Sequence, residues 1–202
     1  MPATVDALLP LSLLESVRGA DTPEDAEDEY VHELRNKRLG LSDTVYAEIQ
    51  RYTDDAKKNR RVGNDKAVAI ATLIGRRPDA ETVFRAAGKR LAGQMYGSIS
   101  SSRRAFLRLL PAFIARPLAL AGGRRVAKRY LNGSLGRVGG YVMLSVGDSA
   151  TANTAPRGIG CTFYESSLGE LLRLLVDGGG AIEHVRCVGR NEGSCEWRAE
   201  WR

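Results

Sequence analysis

The sequence lacks an apolar run of the ~18 residues that a membrane-spanning helix requires. The longest candidate, Ala112 to Gly123, is interrupted by Arg116 and Pro117. No basic segment precedes the first apolar stretch, so a secretory leader is not expected and the chain reads as soluble and cytoplasmic. Aromatic residues are only 6% of the total, which offers few stacking platforms for nucleic acid. No helix-turn-helix, zinc-finger or RNA-binding signature is present. Gly136 to Gly140 (G-R-V-G-G) does not meet the dinucleotide-binding pattern G-x-G-x-x-G, so a nicotinamide site is not expected. Internal repeats and low-complexity tracts are absent. Cysteine is scarce and odd in number, three in all, which does not suit a closed disulfide framework. Histidine is scarcer still, with two residues.

What is present is globular in composition: 43% hydrophobic and 27% charged over 202 residues, one large domain or a domain with a long arm. A chain this long buries roughly 70% of its unfolded surface and needs no covalent staple. The net charge of +6 is unevenly spread. Six acidic residues and no basic one lie between Asp21 and Glu29, whereas Arg76 to Arg137 carries fourteen Arg or Lys against Asp79 and Glu81. A solvated helix face, or pairing with the acidic segment, is the plain reading of that basic stretch. Nucleic acid or an anionic membrane surface is the alternative, and both would be salt-sensitive.

Hydrophobic spacing predicts a largely helical body. A short helix covers Leu8 to Val17 and stops at Gly19. Thr22-Pro23 opens a second that runs to Leu39 and ends at Gly40. Ser42 or Asp43 starts a third, with Val45, Ile49 and Tyr52 on one face. Lys57 to Arg61 is an exposed turn or helix end, and Lys66 to Ile74 is a further helix. Asp79 caps the next, whose buried face is Val83, Phe84, Ala87, Leu91 and Met95. Glycines at 88, 93 and 97 in that helix point to close packing or to a surface that something approaches. Arg103 to Tyr130 is helical with breaks near Pro111, Pro117 and Gly122-Gly123. After Gly139-Gly140 the pattern changes to a strand, Tyr141 to Val146, then a loop of small residues from Gly147 to Gly160. An amphipathic helix, Phe163 to Val176, ends at Gly178-Gly179-Gly180. Two short strands follow, Ile182 to Val188 and Cys195 to Trp201, joined by the turn 189–194. The fold class is α+β, a helical body closed by a small antiparallel C-terminal sheet.

All three cysteines lie near the C-terminus, and with His184 they form C-x22-H-x2-C-x7-C: Cys161, His184, Cys187 and Cys195. Zinc is commonly held by such a Cys₃His set. Residues 184 and 187 would face opposite ways in a regular strand, so a bulge or the strand end must turn one of them. Cys161 reaches the site from the start of the long helix, whose N-terminus favours a thiolate. The alternative is three buried cysteines packed as small hydrophobes beside a satisfied histidine.

The segment GIGCTFYESSLGELLRLLVDGGGAIEHVRCVGRNEGSCEWRAEW resembles the C-terminus of the vinyl-4-reductase-type domain, a hydrocarbon- or small-molecule-binding module. The shared pattern is a cysteine opening a long helix, a strand ending in cysteine, a G-x-x-x-C turn and an aromatic-containing last strand. Upstream, FRAAGKRLAGQMYG is similar to the glycine-bearing helix of the same superfamily, which shares its fold with TRAPP vesicle-tethering subunits. The resemblance spans roughly residues 78–201 and is strongest over 161–201. In the aromatic-sensing regulators of that family, three cysteines and an acidic residue hold zinc. Cys161, Cys187 and Cys195 match the cysteines, and His184 stands at the position of the acid, a departure that zinc tolerates.

The resemblance implies a TRAPP-subunit-like architecture with an N-terminal helical segment, 1–77, serving dimerisation, and a ligand-binding domain, 78–202, with a zinc-bound helix and hairpin. It implies an apolar or aromatic small molecule as ligand, in a pocket lined by Phe84, Leu91, Met95, Tyr96, Phe106, Phe113, Tyr141, Phe163 and Tyr164. The alternative for each of these is plain core packing. Binding without catalysis is the favoured reading, with a homodimer expected and any output passing to a partner protein. An interaction or scaffold protein, or an accessory factor in tetrapyrrole metabolism, are the runners-up.

Overall fold

The computed structural model describes residues 3–22, 38–176 and 180–200. Seven α-helices and six strands are present among them: β1 (Thr4–Asp6), α1 (Leu8–Asp21), α2 (Asp43–Lys57), β2 (Arg61–Gly63), α3 (Asn64–Gly75), α4 (Ala80–Gly97), α5 (Ser101–Leu109), α6 (Ala112–Tyr130), β3 (Gly133–Val138), β4 (Tyr141–Val146), α7 (Thr162–Val176), β5 (Ile182–Arg186) and β6 (Cys195–Glu200). The α+β class holds, with the helices dominant and the sheets small and antiparallel.

Several boundaries move for identifiable reasons. α1 continues through Gly19 to Asp21, and the Thr22 hydroxyl donates to Arg18 O at 2.8 Å, closing this helix rather than opening the next. The helix expected from Pro23 falls largely on residues 23–37, outside the described residues. Ser42 caps α2 as expected, its Oγ accepting from Val45 N–H at 3.3 Å. Asp79 precedes α4 but makes no side-chain cap. Its carboxylate instead receives the Arg77 guanidinium. α6 runs unbroken through Pro117 and Gly122-Gly123, so only Pro111 interrupts the stretch.

The sheet order is β3-β4-β6-β5, so the last strand is inserted between earlier ones. β3 was not expected, because GSLGRV offers one buried apolar side chain, Leu135, on an otherwise small and polar strand. Gly139-Gly140, with Gly139 at φ 60°, forms the two-residue turn that pairs Val138 with Tyr141. β1 and β2 pair over three residues each, too short for a periodic signal.

One face of the larger sheet, including Val142, Leu144, Val146, Cys195, Trp197 and Ala199, is buried beneath α6 and α7. α4 lies on α7, and α1 on α4. The α4–α7 contact is close because Gly88 carries no side chain. A Cβ there would fall 2.2 Å from Phe163 O and 2.1 Å from Ser166 Oγ, and Ser167 Oγ donates to Gly88 O at 3.1 Å. Of the expected close-packing glycines only this one is used; Gly93 and Gly97 have open space around them. The apolar face of α1, Leu9, Leu11, Leu13, Leu14 and Val17, is covered by α2, α3 and α4 of its own chain. The larger of two apolar clusters draws residues from both sides of residue 77, and the smaller joins α1 to α2.

Candidate metal centre

Cys161 is the last residue of a 3₁₀ turn, Pro156–Cys161, that leads directly into α7. The preceding loop of small residues is wired to the fold by hydrogen bonds. Thr151 Oγ1 donates to Gly160 O at 2.6 Å, and Ser149 Oγ accepts from the backbone N–H of Thr151 and of Ala152. Tyr164 on α7 is buried, and its hydroxyl oxygen accepts from Ala150 N–H at 3.1 Å. Burial pushes that phenol up to about 12, so it stays neutral.

The second and third donors sit where β5 becomes irregular. The β5–β6 register shifts between His184 and Arg186, and Cys187 follows the strand end. That irregularity lets donors three apart serve one site. The turn back is a 3₁₀ segment, Val188–Arg190, followed by Asn191 at φ 62° and Gly193 at φ 79°. Glu192 fastens it, its carboxylate accepting from Cys187 N–H at 2.6 Å. Cys195 then opens β6, with Val188 N–H directed at its Sγ at 3.4 Å.

The four donor atoms lie within 4.8 Å of one another, three of the residues being fully buried and His184 partly so. Cys161 Sγ and Cys187 Sγ are 3.7 Å apart. That is far beyond a disulfide bond. It matches the edge of about 3.8 Å expected for a sulfur tetrahedron around an ion at ~2.3 Å. His184 Nε2 is buried without a hydrogen-bond partner, an orphan that coordination would satisfy. The thiol of Cys195 is held below the usual thiol range, chiefly by its hydrogen bond with Cys161, then by Val188 N–H, His184 and Cys187. Cys161 moves the other way, raised first by that same bond to Cys195 and then by burial. These residues could hold a metal ion, and the sequence-derived set of four is the set the fold brings together.

A row of stacked rings supports the imidazole. His184 lies on Trp197 with centroids 4.9 Å apart and planes 8° from parallel, and Trp197 lies on Tyr164 at 5.2 Å. Phe163 meets Tyr164 edge-on at 5.1 Å. The sequence marks Trp197 only as an aromatic on the last strand, and Glu192 as a polar turn residue; neither carries a ligand signal of its own.

The nine candidate pocket residues fall in different environments. Phe84, Leu91, Met95, Phe163 and Tyr164 are packed in the core, Tyr96 is half-buried, and Phe106, Phe113 and Tyr141 are exposed. A cleft of about 500 Å³ instead opens beside the cysteine cluster, lined by Ala152, Ala155, Arg157, His184, Cys187 and Arg190 among others. Arg157 reaches its rim from a left-handed backbone, φ 56°, uncommon for a residue other than glycine, asparagine or aspartate. Arg190 is 3.3 Å from Glu192.

No family model matches the chain, and no curated protein or solved structure gives a significant match.

Proposed function

We propose that the chain is a small-molecule-binding module of the kind its C-terminal motif resembles, held together by a structural zinc ion on Cys161, His184, Cys187 and Cys195. The observation that carries this reading is the convergence of four donors from three separated segments to within 4.8 Å. Three sulfurs and an imidazole suit zinc and disfavour magnesium or calcium. Four protein donors fill a tetrahedron, so the ion fastens the structure and leaves no position for a reacting molecule.

The cleft beside the metal centre is the place for the ligand. His184 and Cys187 form part of its wall, Ala152 and Ala155 give it apolar surface, and Arg157 brings positive charge, Arg190 on the same wall being paired with Glu192. A small molecule with an apolar or aromatic body and an anionic group suits that lining. A purely apolar ligand is less well matched to this cleft, and five of the aromatic and aliphatic candidates are closed within the core.

Element analysis of freshly purified, reduced protein tests the first half, with one zinc per chain expected. A content near zero, with melting unchanged by a strong chelator, overturns it. For the second half, aromatic carboxylates should raise the melting temperature more than their uncharged parents. Arg157→Gln should remove the difference; equal response to both compound classes overturns the anionic cleft.

A further inference from the structure

α5 and α6 form a helical hairpin turning at Leu110-Pro111, and its tip is apolar yet uncovered. Leu109 is 84% exposed and Phe113 77% exposed, with Phe106, Ile114 and Leu118 also open to solvent. Contiguous exposed apolar surface of this kind marks a docking site. The C-terminal half of α6 is different: Ala119, Leu120, Val126, Ala127 and Tyr130 anchor it in the core. The tip is thus held out by a rigid base.

Behind the tip lies a cleft of about 320 Å³ lined by Ser98, Ser100, Arg103, Arg125, Arg129 and Tyr130 among others. Arg103 and Arg125 have no carboxylate partner among the described residues, whereas Arg129 contacts Asp6 at 3.6 Å. Helical spacing puts Ile114, Leu118, Gly122, Arg125 and Arg129 on one stripe of α6, and Arg103 and Phe106 on one stripe of α5. At ~1.5 Å per residue, Phe113 and Arg125 are about 18 Å apart along α6, whereas Arg103 is within one turn of Phe106 on α5. Ile114 and Leu118 thus lie toward the tip and Arg125 and Arg129 toward its base, with Arg108 and Arg116 inside the tip segment itself, so a surface that takes the apolar side chains also meets cationic ones.

We propose that this hairpin docks on an anionic phospholipid surface, with Phe106, Leu109 and Phe113 entering the interface and Arg103 and Arg125 taking headgroup phosphate. Charge selects this occupant. No Asp or Glu occurs between Glu81 and Asp148, a stretch with twelve Arg or Lys. A second copy meeting the same face would set arginine against arginine with no acid to pair them, at a cost. Nucleic acid would engage the arginines but leave the five apolar side chains in water. No helix among the described residues is long and apolar enough to cross a membrane, so the hairpin lies on the surface.

Vesicle sedimentation tests this. The full chain should sediment with phosphatidylcholine vesicles containing about one-third phosphatidylglycerol and stay in solution with phosphatidylcholine alone. Raised salt should weaken binding. Leu109→Asp with Phe113→Asp, and separately Arg103→Gln with Arg125→Gln, should each lower affinity about tenfold or more. These side chains are at least partly exposed, so melting should be unchanged. Inorganic phosphate should not release the protein from vesicles. The proposal is overturned by absence of sedimentation at low salt, by equal binding to neutral vesicles, or by binding that neither pair of substitutions alters. It is also overturned if vesicles are not bound while Leu109→Asp dissolves a dimer, or while duplex DNA is bound through Arg103 and Arg125.

Discussion

His184 lies flat on Trp197, so the one imidazole in the cysteine cluster takes its orientation from a core side chain that is not itself a donor. Residues that orient a ligand commonly tune metal affinity by roughly ten- to a hundredfold. Trp197→Leu should therefore weaken zinc retention about tenfold while leaving all four donors in place, and Trp197→Phe should weaken it less. Competition against a chromophoric chelator reads both.

Removing a donor acts more directly. Cys187→Ser and Cys161→Ser should free the C-terminal segment, so amide exchange over residues 161–200 accelerates before exchange in α1 and α4 changes. His184→Ala should be milder, because water can take the vacated position. Chelation of the wild type should reproduce the pattern of Cys187→Ser, and uniform acceleration across the chain would contradict it.

Gly88→Ala tests the α4–α7 contact. The added carbon meets a backbone oxygen that cannot swing aside. A loss of about 1–3 kcal/mol in urea unfolding is expected, whereas Gly93→Ala, with open space around it, should be neutral or slightly stabilising.

Asp21, with its side chain 5% exposed, receives both Arg77 at 2.7 Å and the Gly40 N–H, so Arg77→Leu leaves a buried carboxylate half-satisfied. About 3 kcal/mol should be lost. The same guanidinium, through its hydrogen bonds, holds the Asp79 carboxyl below its usual range. A depressed folded-state value contributes stability above the ordinary value of about 4, and that contribution disappears as pH falls through the depressed value. The stability gap between wild type and Asp79→Asn should accordingly be small, present at neutral pH, and close below pH ~4. A gap that widens in acid would reverse the assignment.

The donor set was legible in the sequence because three scarce cysteines and a scarcer histidine sat at workable spacing. The irregularity needed to aim both His184 and Cys187 followed from strand geometry alone. α2 and α4 were legible for a similar reason, since Val45, Ile49 and Tyr52, and Val83, Ala87 and Leu91, repeat at the helical period over several turns. The sheet was half hidden: β3 has glycine at 133 and 136 where a periodic strand would show apolar side chains, and β1 and β2 are too short to be periodic. Pro117 misled because tertiary anchoring of the second half of α6 outweighs one lost hydrogen bond. The cleft beside the cysteine cluster was invisible, as Arg157 and Arg190 are ordinary loop arginines until the fold sets them on one rim.

The sheet order has a consequence for the chain during synthesis. β6 occupies the middle of the sheet although it is the last strand described, so while the ribosome is still short of Glu200 the pairing edges of β4 and β5 stand open. Cys195 arrives with that same strand, 34 residues after Cys161. Zipping of the sheet and completion of the four-donor set are thus one late event. A nascent chain stalled before that point presents two bare strand edges and three donors, a form that pairs readily with its neighbours and holds metal poorly.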